Sequence, residues 1–167
     1  MRSTGEVLGL SDTFGLAFYK AQEGSKTMLP LSGSVLISIA EKDRAGLEEV
    51  AIWFKHLGFK IFATRGTHAY LKSKGIQAEI INKLYEGRPN IEDAIKNHQL
   101  DMIINTPGGS KRSNEDDSYI RKSAIRYNIP YMTTLTAALA GAKGISEKRE
   151  KPGEVVYSLQ EYHLRVK

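Results

Sequence analysis

Residues 34–67 read SVLISIAEKDRAGLEEVAIWFKHLGFKIFATRGT. Val35-Leu36-Ile37-Ser38-Ile39 is a short apolar run of the kind that makes a strand buried on both faces. A helix is expected next, capped by Asp43, with Leu47, Val50, Ala51, Phe54 and Leu57 on one apolar face and Gly58 suited to its end. A second strand, Lys60–Ala63, then runs into Thr64-Arg65-Gly66-Thr67. Strand, crossover helix and strand together form the unit of a parallel sheet.

Toward the C-terminus the unit repeats. Helix His68–Lys74 stops at Gly75, and strand Ala78–Ile81 leads through a loop to helix Ile91–His98. Strand Met102–Asn105 leads through Pro107-Gly108-Gly109 to helix Asp116–Tyr127, and Tyr131-Met132-Thr133 leads to helix Leu135–Ala142. The alternation predicts an α/β fold in three α/β/α layers around a five-stranded parallel sheet. Toward the N-terminus, residues 1–32 break the pattern. Asp12 is placed to cap a short helix with Phe14, Ala17, Phe18 and Ala21 on one side, which ends in Glu23-Gly24-Ser25-Lys26. A single stripe of that length makes no core of its own. It reads either as an arm, loose or packed down, or as the end of a preceding domain.

The chain has 167 residues, of which 41% are hydrophobic, so it is the size of one domain and too apolar to be wholly disordered. Lys, Arg, Glu and Gly interrupt every apolar run before it reaches membrane-spanning length. The absence of Cys removes disulfides, thiolate catalysis and thiolate-bound zinc. His56, His68, His98 and His163 are dispersed, and none has a His or carboxylate four residues away, so no metal is expected. The net charge of +5 favours an anionic partner, but no basic stripe marks a nucleic-acid surface. The N-terminus lacks the pattern of a signal peptide, so the expected compartment is cytoplasmic.

A parallel sheet binds ligands beyond the carboxyl ends of its strands. Ser38 to Arg44, Thr64 to Thr67, Asn82 and Lys83, Asn105 to Gly109, and Thr133-Thr134 all fall there. Thr64-Arg65-Gly66-Thr67 precedes a helix, where free N–H groups and the dipole favour a phosphate; Thr67 equally suits a simple helix cap. Lys83 is either a solvated lysine or a cation reaching across the same rim. Asn105-Thr106-Pro107-Gly108-Gly109 is either an ordinary turn or a close backbone approach to a ligand, with Asn105 reading a ring edge or a ribose hydroxyl. Ser110–Asp117, rich in charge and without apolar anchors, reads as a mobile solvated loop that closes over a ligand if one binds. The rim lacks the paired carboxylates or Ser/His couple of an acid–base enzyme.

Arg2-Ser3-Thr4-Gly5-Glu6-Val7-Leu8-Gly9, Glu86-Gly87-Arg88-Pro89-Asn90-Ile91, Ile103-Ile104-Asn105-Thr106 and Ile120-Arg121-Lys122-Ser123-Ala124 resemble the C-terminal part of the carbamoyl phosphate synthetase large subunit. The resemblance runs over nearly the whole chain. It implies that residues 1–30 are the tail of the second ATP-grasp synthetase half. Residues 31–167 then correspond to the allosteric domain, of methylglyoxal synthase-like fold. It further implies nucleotide effectors, UMP or IMP, held by Ser38, Arg44, Thr64, Gly66, Thr67, Lys83, Asn105 and Pro107. Tyr131 and Thr133 would lie at the boundary through which ornithine acts. Arg44 stands where the family pattern has Lys, and Pro107 replaces a Thr, which removes a hydroxyl and a backbone donor.

The partners implied are the rest of the large subunit and the glutaminase small subunit, in a ligase serving arginine and pyrimidine biosynthesis; self-association is a further possibility. No cofactor is expected in this domain. ATP, Mg and K belong to synthetase domains outside these residues, so the chain alone is expected to make no carbamoyl phosphate. The enzyme alternative is a methylglyoxal synthase-type phosphate lyase. It needs a carboxylate base and a His, whereas this chain reads Glu86-Gly87-Arg88-Pro89 and has no His between Asn105 and Tyr119. A free-standing protein-interaction module is the third reading, to be separated by whether a nucleotide shifts the melting temperature.

Overall fold

The computed structural model describes residues 6–108, 111–152 and 157–165; the side chains of 111–114 are outside the description. The Arg2-Ser3-Thr4-Gly5 stretch, Gly109, Ser110 and the side chains of Lys111 and Arg112 therefore lie outside the described residues. Five strands, β1 (Ser34–Ser38), β2 (Lys60–Ala63), β3 (Glu79–Ile80), β4 (Met102–Asn105) and β5 (Tyr131–Met132), form one sheet in the order β3-β2-β1-β4-β5. Every pair is parallel, with Val35 opposite Ile61 on one side and Met102 on the other. The chain winds outward from β1 to β3 and returns to β4 on the far side, so its direction reverses between β1 and β4. Strand ends diverge at such a point and leave a crevice.

Among the described residues seven helices accompany the sheet: α1 (Phe14–Gly24), α2 (Leu47–His56), α3 (Arg65–Ser73), α4 (Ile91–Lys96), α5 (Lys111–Arg126), α6 (Leu135–Glu150) and α7 (Leu159–Arg165). Val35, Ile37, Ile61, Ala63, Met102 and Ile104 point to one face, where they pack with Tyr19, Phe54, Leu71, Ala138 and Ile145 from α1, α2, α3 and α6. Leu36 and Ile103 point to the other, against Ile91 and Ile95 of α4 and Ile120 and Ala124 of α5. The period-two alternation of a strand thus feeds two cores, which is why β1 is apolar throughout.

Several local expectations shift. The cap of α2 is Gly46, not Asp43; its φ of +86° is costly for other residues, while Asp43 closes a 3-10 turn, Glu41–Asp43. Helix α3 begins at Arg65 rather than His68, α5 at Lys111 rather than Asp116, and α6 continues to Glu150. The stretch 110–117, expected as a solvated loop, is therefore helical from Lys111 onward. Both residues of β3 are exposed, because it is an edge strand of two residues and not a strand buried on both faces. Helix α7 is an addition to the expected elements, and its local mark is the capping box Ser158-Leu159-Gln160-Glu161: Glu161 accepts the Ser158 N–H at 2.6 Å and the Ser158 hydroxyl accepts the Glu161 N–H at 3.2 Å.

The arm differs most from its expected stripe. Phe14 is 74% exposed, whereas Gly15, Leu16 and Tyr19 are buried against α6. Neither Asp12 nor Thr13 caps α1 with its own side chain. The carboxylate of Glu147 in α6 accepts the Leu16 N–H at 2.8 Å and the Thr13 hydroxyl. Arg149, two residues further, donates to the carbonyls of Leu31 and Leu57 and so ties α6 to the segments before β1 and after α2. No helix among the described residues is long and apolar enough to cross a membrane.

Candidate functional site at the carboxyl ends of the strands

Three threonines and a serine line the crevice between β2, β1 and β4. Ser38 ends β1, Thr64 follows β2, Thr67 lies in the first turn of α3 and Thr106 follows β4; all four are buried. Thr67 does not cap α3; Thr64 occupies the cap position and makes no side-chain capping bond. The Thr67 Oγ1 instead accepts the Ile39 N–H at 3.0 Å, and Thr106 Oγ1 accepts the Ala40 N–H at 2.8 Å. These two hydroxyls hold the backbone that leaves β1 between the turns after β2 and β4. The Thr64 hydroxyl lies 3.4 Å from those of Ser38 and Thr67, long for a hydrogen bond, so its donor capacity is only weakly used within the protein.

Cations surround this floor. The guanidinium of Arg44, half-buried, lies over the Tyr70 ring at 5.7 Å and 3.5 Å from the exposed Glu41 carboxylate; its Nε is buried without a partner. One of its terminal nitrogens is 3.3 Å from where a Cβ on Gly66 would sit, so a side chain at Gly66 would press on Arg44. Lys83 begins the turn after β3, and its backbone N–H donates to Glu86 at 2.8 Å. Arg65 reaches the same turn through Asn82 Oδ1 at 3.2 Å and Glu86 at 3.7 Å.

On the β4 side, the Asn105 amide nitrogen donates to Asp117 Oδ1 at 2.8 Å and to the Tyr131 hydroxyl at 2.9 Å, while Asp117 Oδ2 accepts the Gly108 N–H at 3.1 Å. Asn105 is 1% exposed, and its Oδ1 has no partner. Asp116 is buried with an orphan Oδ2 as well, and burial pushes its carboxyl above the ordinary range; Lys83 opposes this, and Asp117, Glu86 and Glu115 add to it. Burial also raises the Tyr131 hydroxyl, against its bond with Asn105. The side-chain atoms buried without a partner among the described residues are Arg44 Nε, Asn105 Oδ1 and Asp116 Oδ2, all on residues at or beside this rim. Buried polar atoms are rarely left unpaired, so their clustering points to a place where another molecule completes the bonds.

Ser38, Thr64, Thr67 and Asn105 thus come together, with Arg44, Gly66 and Lys83 around them. Pro107 is exposed, and the buried hydroxyl of that turn belongs to its neighbour Thr106. Tyr131, expected at a separate boundary, is bonded directly to Asn105, while Thr133 is exposed and lines a cavity of about 440 Å³ with Lys42, Thr106 and Thr134. A larger cavity, about 750 Å³, lies along α3 toward the amino ends of β2 and β3. Size favours that cavity, but hydroxyls and orphan polar atoms converge at the rim, and convergent polar groups are the better guide to a binding site. Asp116 and Asp117 are marked in sequence only as charges of the 110–117 stretch, and Tyr70 not at all, because their contacts at the rim are tertiary. Among the described residues no three His, Asp or Glu side chains are grouped to hold a metal.

A family model described as the MGS-like domain matches residues 46–133, more than half of the chain and the whole stretch from the start of α2 to the end of β5. The chain belongs to the MGS-like domain family. In this MGS-like domain the strand order reverses direction between β1 and β4, beside the crevice where the hydroxyls converge. The carbamoyl phosphate synthase large chain, C-terminal section, of Aquifex aeolicus is 44% identical over 167 residues, covering 98% of this chain and 31% of that protein. The carbamoyl phosphate synthase large chain of Archaeoglobus fulgidus is 47% identical over 164 residues, covering 98% of this chain and 15% of that protein. That of Methanothrix thermoacetophila is 44% identical, with 100% and 15% covered. The chain therefore spans between 15% and 31% of the length of these relatives.

Proposed function

We propose that this chain is the regulatory unit of a carbamoyl phosphate synthase large chain, and that its rim binds a nucleoside monophosphate effector of the UMP or IMP type. The observation that carries the reading is the convergence of the Ser38, Thr64 and Thr67 hydroxyls with Arg44 and Lys83 in a crevice where Arg44 Nε and Asn105 Oδ1 are buried without partners. Hydroxyls, cations and the first turn of α3 suit a phosphate. Asn105 Oδ1 suits a donor on the attached nucleoside. The lyase alternative lacks support at the same place: Asp117 is occupied by Gly108 and Asn105, and no His stands among these groups.

The Asn105–Tyr131 bond supports the finer reading that nucleotide and ornithine responses meet on β4 and β5. The partners on this reading are the remainder of the large chain and the glutaminase subunit, toward which an effector acts through its differential affinity for two states of the assembly. Calorimetric titration of UMP, IMP and ornithine into this chain tests it. Lys83→Ala is expected to weaken a nucleoside monophosphate by about 1.5–3 kcal/mol, the range for a charge-assisted hydrogen bond. Unchanged affinity at low salt would remove Lys83 from the site, and no saturable binding of either nucleotide would remove the proposal.

A further inference from the structure

The cavity of about 750 Å³ takes no part in the rim chemistry. It exists because β3 is too short. Glu79 and Ile80 pair with Phe62 and Ala63, so Lys60 and Ile61, the first half of β2, have no strand beside them on that side. The missing stretch leaves a notch between the end of α2 and the flank of α3. Its floor is apolar, made of the buried Phe59, Ile61 and Ile76. Its wall is cationic: Lys55 comes from the last turn of α2, Lys72 from the last turn of α3, and Lys60 from β2.

The charges in this wall are unevenly matched. Glu79, the one carboxylate of the lining, lies 2.9 Å from Lys60 Nζ. Lys55 and Lys72 form no ion pair among the described residues. Complementing the helix dipoles accounts for a lysine in each last turn, but not for an apolar notch between them. Those same helix ends direct carbonyl groups toward this end of the sheet, which disfavours a compact, highly charged anion seated deep among them. The arrangement suits a ligand whose single charge stays at the lip, on flexible ammonium groups, while its body fills the floor.

We propose that this notch is a second binding site, distinct from the rim, for a monocarboxylate with an apolar body. The carboxylate sits between Lys55 and Lys72 and the hydrocarbon lies on Phe59, Ile61 and Ile76. Titration of the chain with octanoate, followed by its backbone amide NMR signals, tests the site, with inorganic phosphate as the control anion. Octanoate is expected to displace the signals of Ile61, Ile76 and Ala78 saturably, and phosphate to leave them in place. The double variant Lys55→Gln/Lys72→Gln, exposed on the surface and expected to fold, should bind octanoate about tenfold more weakly, the size of two exposed ion pairs together. Reversing the charges with Lys55→Glu/Lys72→Glu should abolish octanoate binding and admit octylammonium instead. Non-saturating or scattered shifts, equal affinity in the glutamine variant, or tighter saturation of the same signals by phosphate would each overturn the proposal.

Discussion

Replacing Gly144 by Ala sets helix propensity directly against tertiary packing. In an exposed helix interior, Ala in place of Gly stabilises by about 0.8–1.0 kcal/mol. Gly144, in the middle of α6, faces α1, and a Cβ there would meet the Gly15 carbonyl oxygen at 2.5 Å and Tyr19 Cβ at 3.1 Å. The first of these is backbone, so relief requires α1 to move away. Overpacking of this kind costs about 1–3 kcal/mol. Movement of α1 also exposes part of Leu16 and Tyr19, each contributing about 1.5–3 kcal/mol when fully buried. Subtracting the propensity gain leaves a net loss of about 2 kcal/mol. With a urea dependence of about 2 kcal/mol per molar, the unfolding midpoint falls by about 1 M. Hydrogen exchange within Phe14–Gly24 should accelerate in parallel. Gly141→Ala is the internal control: its Cβ would meet the flexible end of Met132, Cε at 2.8 Å, and the expected loss is below about 1 kcal/mol. A Gly144→Ala chain as stable as its parent, or more so, would show that α1 is not seated on α6 in solution.

Thr67→Val keeps the shape of the side chain but leaves the Ile39 N–H without an acceptor, so chemical denaturation should show a loss of about 1–3 kcal/mol with no ligand present. Asp116→Asn should stabilise the chain at pH 7. Burial raises the folded-state pKa, so the folded protein holds that proton more tightly than the unfolded chain and the parent loses stability as pH rises past the ordinary carboxylate range. Melting curves of parent and variant should therefore converge below about pH 4. Phe54→Ala, which empties a fully buried position edge-on to Phe59, should cost about 3–5 kcal/mol by urea unfolding.

The central strands and the alternation around them are legible because β1, β2 and β4 are short, largely apolar runs bounded by turn residues. Lys60–Ala63 and Met102–Asn105 have the same limits in sequence and structure. The threonines, Asn105 and Lys83 were legible as a group because topology alone sends the ends of parallel strands to one rim. Within that rim, sequence left Thr67 divided between cap and ligand, and only folding assigns its oxygen to Ile39. Charge density made 110–117 look like a loop, yet Asp116 is buried and Asp117 holds Gly108 and Asn105, contacts made across 9 and 12 residues by helix packing. In the arm the spacing of Phe14 and Phe18 marks one stripe, of which Phe18 packs against the core, but Leu16 and Tyr19 are the buried side chains, because Gly15 and Gly144 let two backbones approach and Glu147 supplies the cap. Local pattern determined which segments become strands and helices and where they end in polar turns. Which face of a helix is covered, which hydroxyls are already engaged and which buried atoms await a partner were decided only when residues far apart in the chain were packed together.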